Sequence, residues 1–169
     1  IENKISFPYL LLLVSGGHSQ YLIVNGVNNY KRIGTTIDDA VGEAFDKTAK
    51  ILNLGYPGGP NVEKFSKLGK KDSFVLPQPI INRAGCNLSL AGLKTDVLRK
   101  SKNLKTKKER YNLAASFQET VNKILKKKTE VAMKQFRNEI TDKSLKYFVV
   151  AGGVAANETI RKGLKEVSL

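Results

Sequence analysis

The stretch GTTIDDAVGEAFDKTAKILNLGYPGGP, residues 34–60, decides how the rest of the chain is arranged. It begins as the end of a strand, and Thr36 followed by Asp39 predicts a capped helix start. The segment GYPGGP, residues 55–60, should end this helix as a rigid turn. Apolar side chains recur at helical spacing and form a stripe that we expect to be buried: Val41, Ala44, Phe45, Ile51 and Leu52, with Thr48 between them.

A polar stripe occupies another face of the same helix. Its members are spaced by four, three and four residues and therefore share one face: Asp39, Glu43, Asp46 and Lys50. Neighbouring carboxylates repel one another, and Gly42 costs about 1 kcal/mol relative to Ala inside a helix. Gly42 would let another backbone or a ligand approach closely. Two interpretations stay open: the carboxylates bind a ligand or a metal, or they form a solvated face paired with Lys47 and Lys50.

The whole chain has 169 residues, of which 41% are hydrophobic, so it suits one domain with a sizeable core. No apolar run reaches the roughly 20 residues that span a bilayer. The first residues do not resemble a signal peptide, and they lack a Met, so we expect an excerpt from a longer protein. The single cysteine, Cys86, precludes an internal disulfide and is typical of a reducing compartment, which favours a cytoplasmic location without membrane partners.

The formal net charge is +14, and it is concentrated in RKSKNLKTKKER, residues 99–110, and KILKKKTE, residues 123–130. Such a charge is typical of proteins that bind nucleic acid. Most of the basic residues are lysines, however, and compositional drift would give a solvated basic surface without a partner. Both interpretations stay open.

The order of predicted elements indicates the fold class. An apolar strand at residues 7–14, buried on both faces, precedes strands at 21–24 and 30–33, with a hairpin turn at Asn25-Gly26. After the helix described above come a short helix at 61–68, a loop at 69–86 and a segment of mixed strand and turn character at 88–93. A charged short helix and linker at 96–110, a long amphipathic helix at 111–140, a strand at 145–150 and a helix at 157–167 complete the order. This order predicts an α/β lobe of the ribonuclease H-like type, the unit doubled in actin-like (ASKHA) ATPases.

Three glycine turns lie at the ends of predicted elements: SGG at 15–17, PGG at 57–59 and AGG at 151–153. Glycine lets backbone amides face an anion without interference from a Cβ atom. Each turn alone is most simply structural. Together with the acidic helix they predict a nucleotide-like ligand, with its phosphate at the SGG and AGG amides and its hydroxyls at Asp46.

Five stretches carry a resemblance to a known family: LLLVSGGHSQYLIV, GTTIDDAVGEAFDKTAKILNLGYPGGP, LAGLKT, NLAASFQE and VVAGGVAANETIR. In this order they resemble TsaD, the tRNA N6-adenosine threonylcarbamoyltransferase family, also called Gcp. The resemblance implies transfer of a threonylcarbamoyl group from threonylcarbamoyl-AMP to N6 of adenosine 37 in tRNAs that read ANN codons. It also implies TsaB- and TsaE-like protein partners.

The resemblance carries over substrate-binding positions one at a time. The family's LVSGG loop falls on Leu13, Val14, Ser15, Gly16 and Gly17. The Asp of its AFDK motif falls on Asp46, the second Gly of PGG on Gly59, and the Asn of GGVxAN on Asn157. It identifies no catalytic residue.

Three departures from the family pattern limit what is carried over. The family's HxxxH motif would lie upstream and its late Asp downstream, so the divalent metal, iron or zinc, that the resemblance implies has no ligands here. We therefore expect residues 1–169 to be one second lobe, truncated at both ends relative to the family. His18 is then a turn residue, and LAGLKT has Leu90 and Ala91 where the family has Phe and Ser.

Two other functional classes stay open. One is a lobe of a different ASKHA protein, such as a small-molecule kinase or a carbamoyltransferase. The other is a non-catalytic relative that partners the enzyme. A protease is excluded on chemical grounds, because there is no HExxH motif and the lone His18 has no recognisable nucleophile signature beside it.

Overall fold

The computed structural model describes residues 5–142 and 147–168. A single sheet has the strand order β3-β2-β1-β4. Its members are β1 (Tyr9–Val14), β2 (Ser19–Gly26), β3 (Asn29–Thr35) and β4 (Phe148–Ala151). β1 pairs antiparallel with β2 and parallel with β4, and β2 pairs antiparallel with β3. The predicted meander of three strands is therefore confirmed.

The helices connect and cover this sheet. They are α1 (Val41–Ile51), α2 (Gly58–Ser66), α3 (Ala91–Ser101), α4 (Lys107–Glu139) and α5 (Glu158–Ser168), with a short 3-10 helix at Gly153–Ala156 before α5. α4 has 33 residues and is about 50 Å long at 1.5 Å per residue. Thr106 and Glu109 form a reciprocal capping box at its start, since each side chain accepts from the other residue's amide.

The core lies between one face of the sheet and α4. Leu12 on β1 and Tyr21 on β2 are register partners, and both are buried. The Tyr21 hydroxyl lies 2.9 Å from Thr129 Oγ1 on α4, which fixes the helix over this face. Phe45 on α1 meets Phe117 on α4 edge to face, with ring centroids 5.1 Å apart. Apolar burial of this extent is the main force that holds the lobe together.

The burial of β1 differs from the prediction. Leu10, Leu12 and Val14 are buried on the α4 side, whereas Leu11 and Leu13 on the other side are only partly buried. The prediction of a strand buried on both faces is therefore wrong for the second face. The strand predicted at 145–150 lies partly outside the described residues, and β4 accounts for its remainder.

Two predicted turns are wrong. β2 continues through Gly26, and the hairpin turn is Val27-Asn28, where Asn28 takes a positive φ of 57°. Gly58, Gly59 and Pro60 form the first turn of α2 rather than a rigid stop after α1, so that helix starts three residues before the predicted one. Proline is favourable in a first helical turn because the amides there have no intrahelical acceptor.

Candidate functional site

The three glycine segments meet around one cavity of about 280 Å³. The carboxyl ends of β1 and β4 lie side by side because the two strands are parallel neighbours. The first turn of α2 closes the opposite side. The lining consists of Gly16, Gly42, Phe45, Asp46, Gly59, Pro60, Glu63, Gly153, Val154, Ala156 and Asn157. Ligands in α/β proteins bind at such strand ends.

The first glycine turn is built around Ser15. Its hydroxyl accepts hydrogen bonds from the amides of Gly17 at 3.3 Å and His18 at 3.0 Å. Its carbonyl accepts the amide of Gly42 at 3.0 Å, which ties the turn to the first turn of α1. The amide of Gly16 donates to no acceptor within residues 5–142 and 147–168, so it is free to meet a ligand.

Gly42 is required by this contact. A Cβ atom built on it would lie 2.7 Å from both the nitrogen of Gly16 and the carbonyl oxygen of Ser15. The close backbone approach predicted for Gly42 is therefore confirmed, and the approaching backbone is that of the SGG turn.

The start of α1 differs from the predicted cap. Thr36 is not the N-cap: its hydroxyl donates to the carbonyl of Asp39 at 2.6 Å, in a turn that precedes the helix. The helix begins at Val41, whose amide donates to Ser19 Oγ at 2.8 Å. Glu43 accepts the amide of Ala40 at 3.3 Å. Acceptors from the β1–β2 region thus replace a local cap, which a sequence pattern within one helix cannot reveal.

The acidic stripe divides into two parts. Asp39 precedes the helix and pairs with Lys47 at 2.8 Å and Lys94 at 2.9 Å, while Glu43 pairs with Lys47 at 2.7 Å. Burial raises the pKa of Asp39, but the hydrogen bonds and charges of the two lysines outweigh it and hold that pKa below its usual range. The paired-face interpretation is correct for Asp39 and Glu43, with Lys47 as partner.

Asp46 faces the cavity instead of a lysine. Its Oδ1 accepts the amide of Gly59 at 3.3 Å, so the carboxylate sits against the positive end of α2. A Cβ atom on Gly58 would overlap the same carboxylate, and this position therefore needs glycine. The side chain is exposed, which leaves its other oxygen accessible to a hydroxyl group.

The third glycine segment also requires close backbone contact. Gly152 has φ 106°, a conformation that favours glycine, and a Cβ atom on it would overlap the carbonyl of Val14. Asn157 follows as the cap of α5: its Oδ1 accepts the amide of Ile160 at 3.0 Å. Its Nδ2 donates to Gln118 Oε1 at 2.8 Å, so both polar ends of this side chain already have partners.

The structure brings together some of the predicted binding residues and separates others. Gly16, Asp46, Gly59 and Asn157 line the cavity. Ser15 and Gly17 shape the adjoining turn. Leu13 and Val14 lie in β1 outside the lining, and the Val14 side chain is fully buried in the core. Because its side chain is buried in the core, Val14 has only its backbone available to a ligand in the cavity.

Glu63 was missed by the sequence analysis. It lies on α2 four residues after Gly59, and its Oε1 accepts the amide of Glu158 at 2.8 Å. The one available signal was the helical spacing of four, which places Glu63 on the same face as Gly59. No lysine or arginine lines the cavity within the described residues. The lining thus offers backbone amides as donors to an anion, and the carboxylates of Asp46 and Glu63 as acceptors for hydroxyl groups.

The residues that the structure describes do not fit a bound metal ion. Among residues 5–142 and 147–168 no group of three or more His, Cys, Asp or Glu side chains is arranged to hold one. His18 is exposed, and its backbone closes the Ser15 turn as predicted.

None of the helices that the structure describes is long and apolar enough to cross a membrane.

Comparison with known families gives a match over residues 1–169 to the family described as "TsaD: tRNA N6-adenosine threonylcarbamoyltransferase". Three similar curated proteins bear the name tRNA N6-adenosine threonylcarbamoyltransferase. The Pelagibacter ubique protein is 57% identical over 97% of this chain and 46% of its own length. The Rickettsia rickettsii protein is 48% identical over 96% of this chain and 48% of its own length. The Sinorhizobium medicae protein is 44% identical over 99% of this chain and 47% of its own length. The chain spans about half the length of these relatives.

Two solved structures share the fold. HypF from T. kodakarensis has a TM-score of 0.52 and 21% identity, over 85% of this chain and 17% of its own. Component A of (R)-2-hydroxyglutaryl-CoA dehydratase from Acidaminococcus fermentans has a TM-score of 0.50 and 18% identity, over 95% of this chain and 52% of its own. Both likenesses concern the fold alone. The predicted ribonuclease H-like lobe of an actin-like (ASKHA) fold is confirmed.

Proposed function

Because this chain belongs to the TsaD family of tRNA N6-adenosine threonylcarbamoyltransferases, we propose that it supplies the nucleotide-binding lobe of such an enzyme. The full-length protein would transfer a threonylcarbamoyl group from threonylcarbamoyl-AMP to N6 of adenosine 37 in tRNAs that read ANN codons. The observation that carries this proposal is that one cavity is lined by the free backbone amide of Gly16, by the turn at Gly153 and by the carboxylates of Asp46 and Glu63.

The AMP part of the donor fits the polarity of this cavity. Its phosphate is an anion and would meet the free amide of Gly16 and the turn at Gly153, because no acidic side chain belongs to either segment. Its ribose hydroxyls would donate to Asp46 and Glu63. The carboxylates would repel a phosphate, so the two ends of the nucleotide have only one favourable orientation.

The reaction asks for little covalent work from these residues. The donor is a mixed anhydride, and N6 of adenosine attacks its carbamoyl carbon. A carbon–nitrogen bond forms, the bond from that carbon to the phosphate oxygen breaks, AMP leaves with the electron pair, and N6 loses a proton. Residues of this chain would bind and orient the AMP leaving group. This would hold the carbamoyl carbon in a fixed orientation toward the attacking N6.

Other features of the full-length enzyme follow from the family and are proposals. They are a divalent metal, iron or zinc, held by ligands outside the described residues, TsaB- and TsaE-like partners, tRNA as acceptor, and a cytoplasmic location. None of the roles given above depends on the metal.

The direct test supplies the full-length protein, with its partners, with threonylcarbamoyl-AMP and unmodified tRNA transcripts. Nucleoside mass spectrometry should detect threonylcarbamoyladenosine in transcripts that read ANN codons, and not in transcripts whose adenosine 37 is replaced by guanosine. ATP-dependent phosphorylation of small acceptors, without the modified nucleoside, would instead show a kinase of the same fold.

A further inference from the structure

We propose that a ridge of lysines, formed where the end of α2 meets the start of α4, binds phosphates of the tRNA acceptor. This inference rests on the proposed function, because it names the surface that would hold that substrate. The lysine ridge consists of Lys64, Lys67, Lys70, Lys105, Lys107 and Lys108.

The two halves of the lysine ridge are far apart in sequence, and specific contacts join them. The ring of Phe65 stacks on that of Tyr111, with centroids 4.9 Å apart. Lys108 Nζ donates to the carbonyl of Leu68 at 2.6 Å. The amide of Lys70 donates to Asn112 Oδ1 at 2.9 Å. The segment after α2 therefore lies directly on the first turns of α4, and the lysines of both segments share one surface.

Close packing fixes this junction. A Cβ atom on Gly69 would overlap the carbonyl of Tyr111, so the chain can pass α4 at this distance only with glycine there. The junction is thus a defined part of the fold rather than a chance approach of two loops.

Most of the positive charge on the lysine ridge is not neutralised. Lys64, Lys70, Lys105 and Lys107 form no ion pair within the part of the chain that the structure describes, and all four are exposed. Lys67 pairs with Glu158 at 3.1 Å. The nearest carboxylate in sequence on α4, Glu109, accepts from the amides of Lys105 and Thr106 and serves the helix cap.

The lysine ridge suits phosphates rather than bases. Phe65 and Tyr111, the aromatic residues at the junction, stack on each other and are only partly exposed. They offer no open platform for a base, whereas recognition of unpaired RNA bases depends on such platforms. Lysine ammonium groups on flexible stems bind phosphates as point charges. The expected binding is therefore dependent on salt and tolerant of sequence.

The position of the lysine ridge fits an acceptor that must reach the cavity. Gly59 at the start of α2 and Glu63 in its second half line the cavity. Lys64 directly follows Glu63, and Lys67 and Lys70 lie beyond the end of the helix. The nine residues of α2 span about 14 Å at 1.5 Å per residue. RNA held on the lysine ridge would lie close to the bound donor.

The test uses two double variants of the full-length protein, Lys64→Gln with Lys70→Gln, and Lys105→Gln with Lys107→Gln. The matched control is Lys123→Gln with Lys134→Gln, which removes two exposed lysines from the middle and the last third of α4. Lys108 is left intact because it holds the junction together. Binding of unmodified tRNA transcripts is measured across salt concentrations, and binding of an AMP analogue is measured in parallel.

Each ridge variant should weaken binding of cognate and non-cognate tRNA alike and make the plot of log affinity against log salt shallower by about one to two units. Each phosphate contact contributes about 0.7–0.9 to that slope. The control should keep the wild-type slope, and all variants should bind the AMP analogue normally.

Unchanged salt slopes in both ridge variants, or an equal change in the control, would show that the lysine ridge does not bind tRNA phosphates. The proposed nucleotide site would not be affected by that result. Unchanged tRNA binding together with weaker assembly with a protein partner would make this surface a protein-docking site instead. If the wild-type protein does not bind the AMP analogue, the proposed function itself is contradicted.

Discussion

The amide of Gly42 donates a 3.0 Å hydrogen bond to the carbonyl of Ser15, and this bond joins the first turn of α1 to the turn that ends β1. The two backbones can approach because Gly42 carries no side chain; a Cβ atom on Gly16, by contrast, would meet nothing within 4 Å. The bond sets the distance between the free amide of Gly16 and the carboxylate of Asp46, which lies one helical turn after Gly42.

Substitution Gly42→Ala should destabilise the protein and weaken nucleotide binding. In an ordinary helix this change gains about 1 kcal/mol. Here the added methyl meets two backbone atoms at 2.7 Å, and overpacking of this kind costs about 1–3 kcal/mol. Chemical unfolding and titration with an AMP analogue measure the two effects.

The control for that experiment is Gly26→Ala, where a Cβ atom would meet only the Cβ of Asn29 at 4.0 Å. It should leave both measurements close to wild type. A Gly42→Ala protein as stable as wild type, with normal affinity, would show that the turn can move away without consequence.

Substitution Asn157→Ala should act mainly on stability. The side chain caps α5 and satisfies Gln118, and loss of a cap costs about 0.5–2 kcal/mol. Asn157→Asp keeps the capping oxygen but loses the donor to Gln118 Oε1, so it should recover only part of the unfolding free energy. If Asn157→Ala instead unfolds like wild type but loses affinity for the AMP analogue, the side chain binds ligand rather than holding the helix.

The ion pairs of Asp39 predict that the free energy of unfolding depends on pH in the acidic range. The pKa of this carboxyl is lowered in the folded protein, so its stabilising contribution is present above the ordinary aspartate pKa of about 4 and is lost as pH falls through the folded-state pKa. Asp39→Asn should lower the unfolding free energy at neutral pH and flatten its decline between about pH 5 and 2.

Asp72→Asn is the matched control, since Asp72 is exposed and has no ion-pair partner among the described residues. Its profile should follow that of wild type. An Asp39→Asn profile that also follows wild type would show that Lys47 and Lys94 do not stabilise the folded state through this carboxylate.

The sequence was sufficient for those parts of the fold that depend on local patterning. The apolar run of β1, the short strand at 21–24 within β2 and the long amphipathic pattern of α4 were each assigned to the correct type of element. Gly42 in the middle of a helix predicted the close approach of a backbone or a ligand, and the structure shows that the approaching backbone is the SGG turn.

What the sequence could not supply depends on contacts between distant residues. The amide of Val41 is capped by Ser19 of β2, so the local signal at Thr36 was misleading. Glu63 becomes a cavity residue only because α2 begins at Gly58. The lysine ridge exists only because Gly69 lets one segment lie on another.

The central claim is that the cavity between the glycine turns binds the AMP part of the donor, with Asp46 as an acceptor for its hydroxyls. The most direct test is calorimetric titration of the full-length protein and its Asp46→Ala variant with a non-hydrolysable threonylcarbamoyl-AMP analogue, with Asp72→Ala as control. A hydrogen bond to a charged group contributes about 1.5–3 kcal/mol, so Asp46→Ala should weaken binding by roughly tenfold to a hundredfold. Loss of the long, exposed bond to the Gly59 amide should lower the unfolding midpoint only slightly. Equal affinities for wild type and Asp46→Ala would contradict the claim.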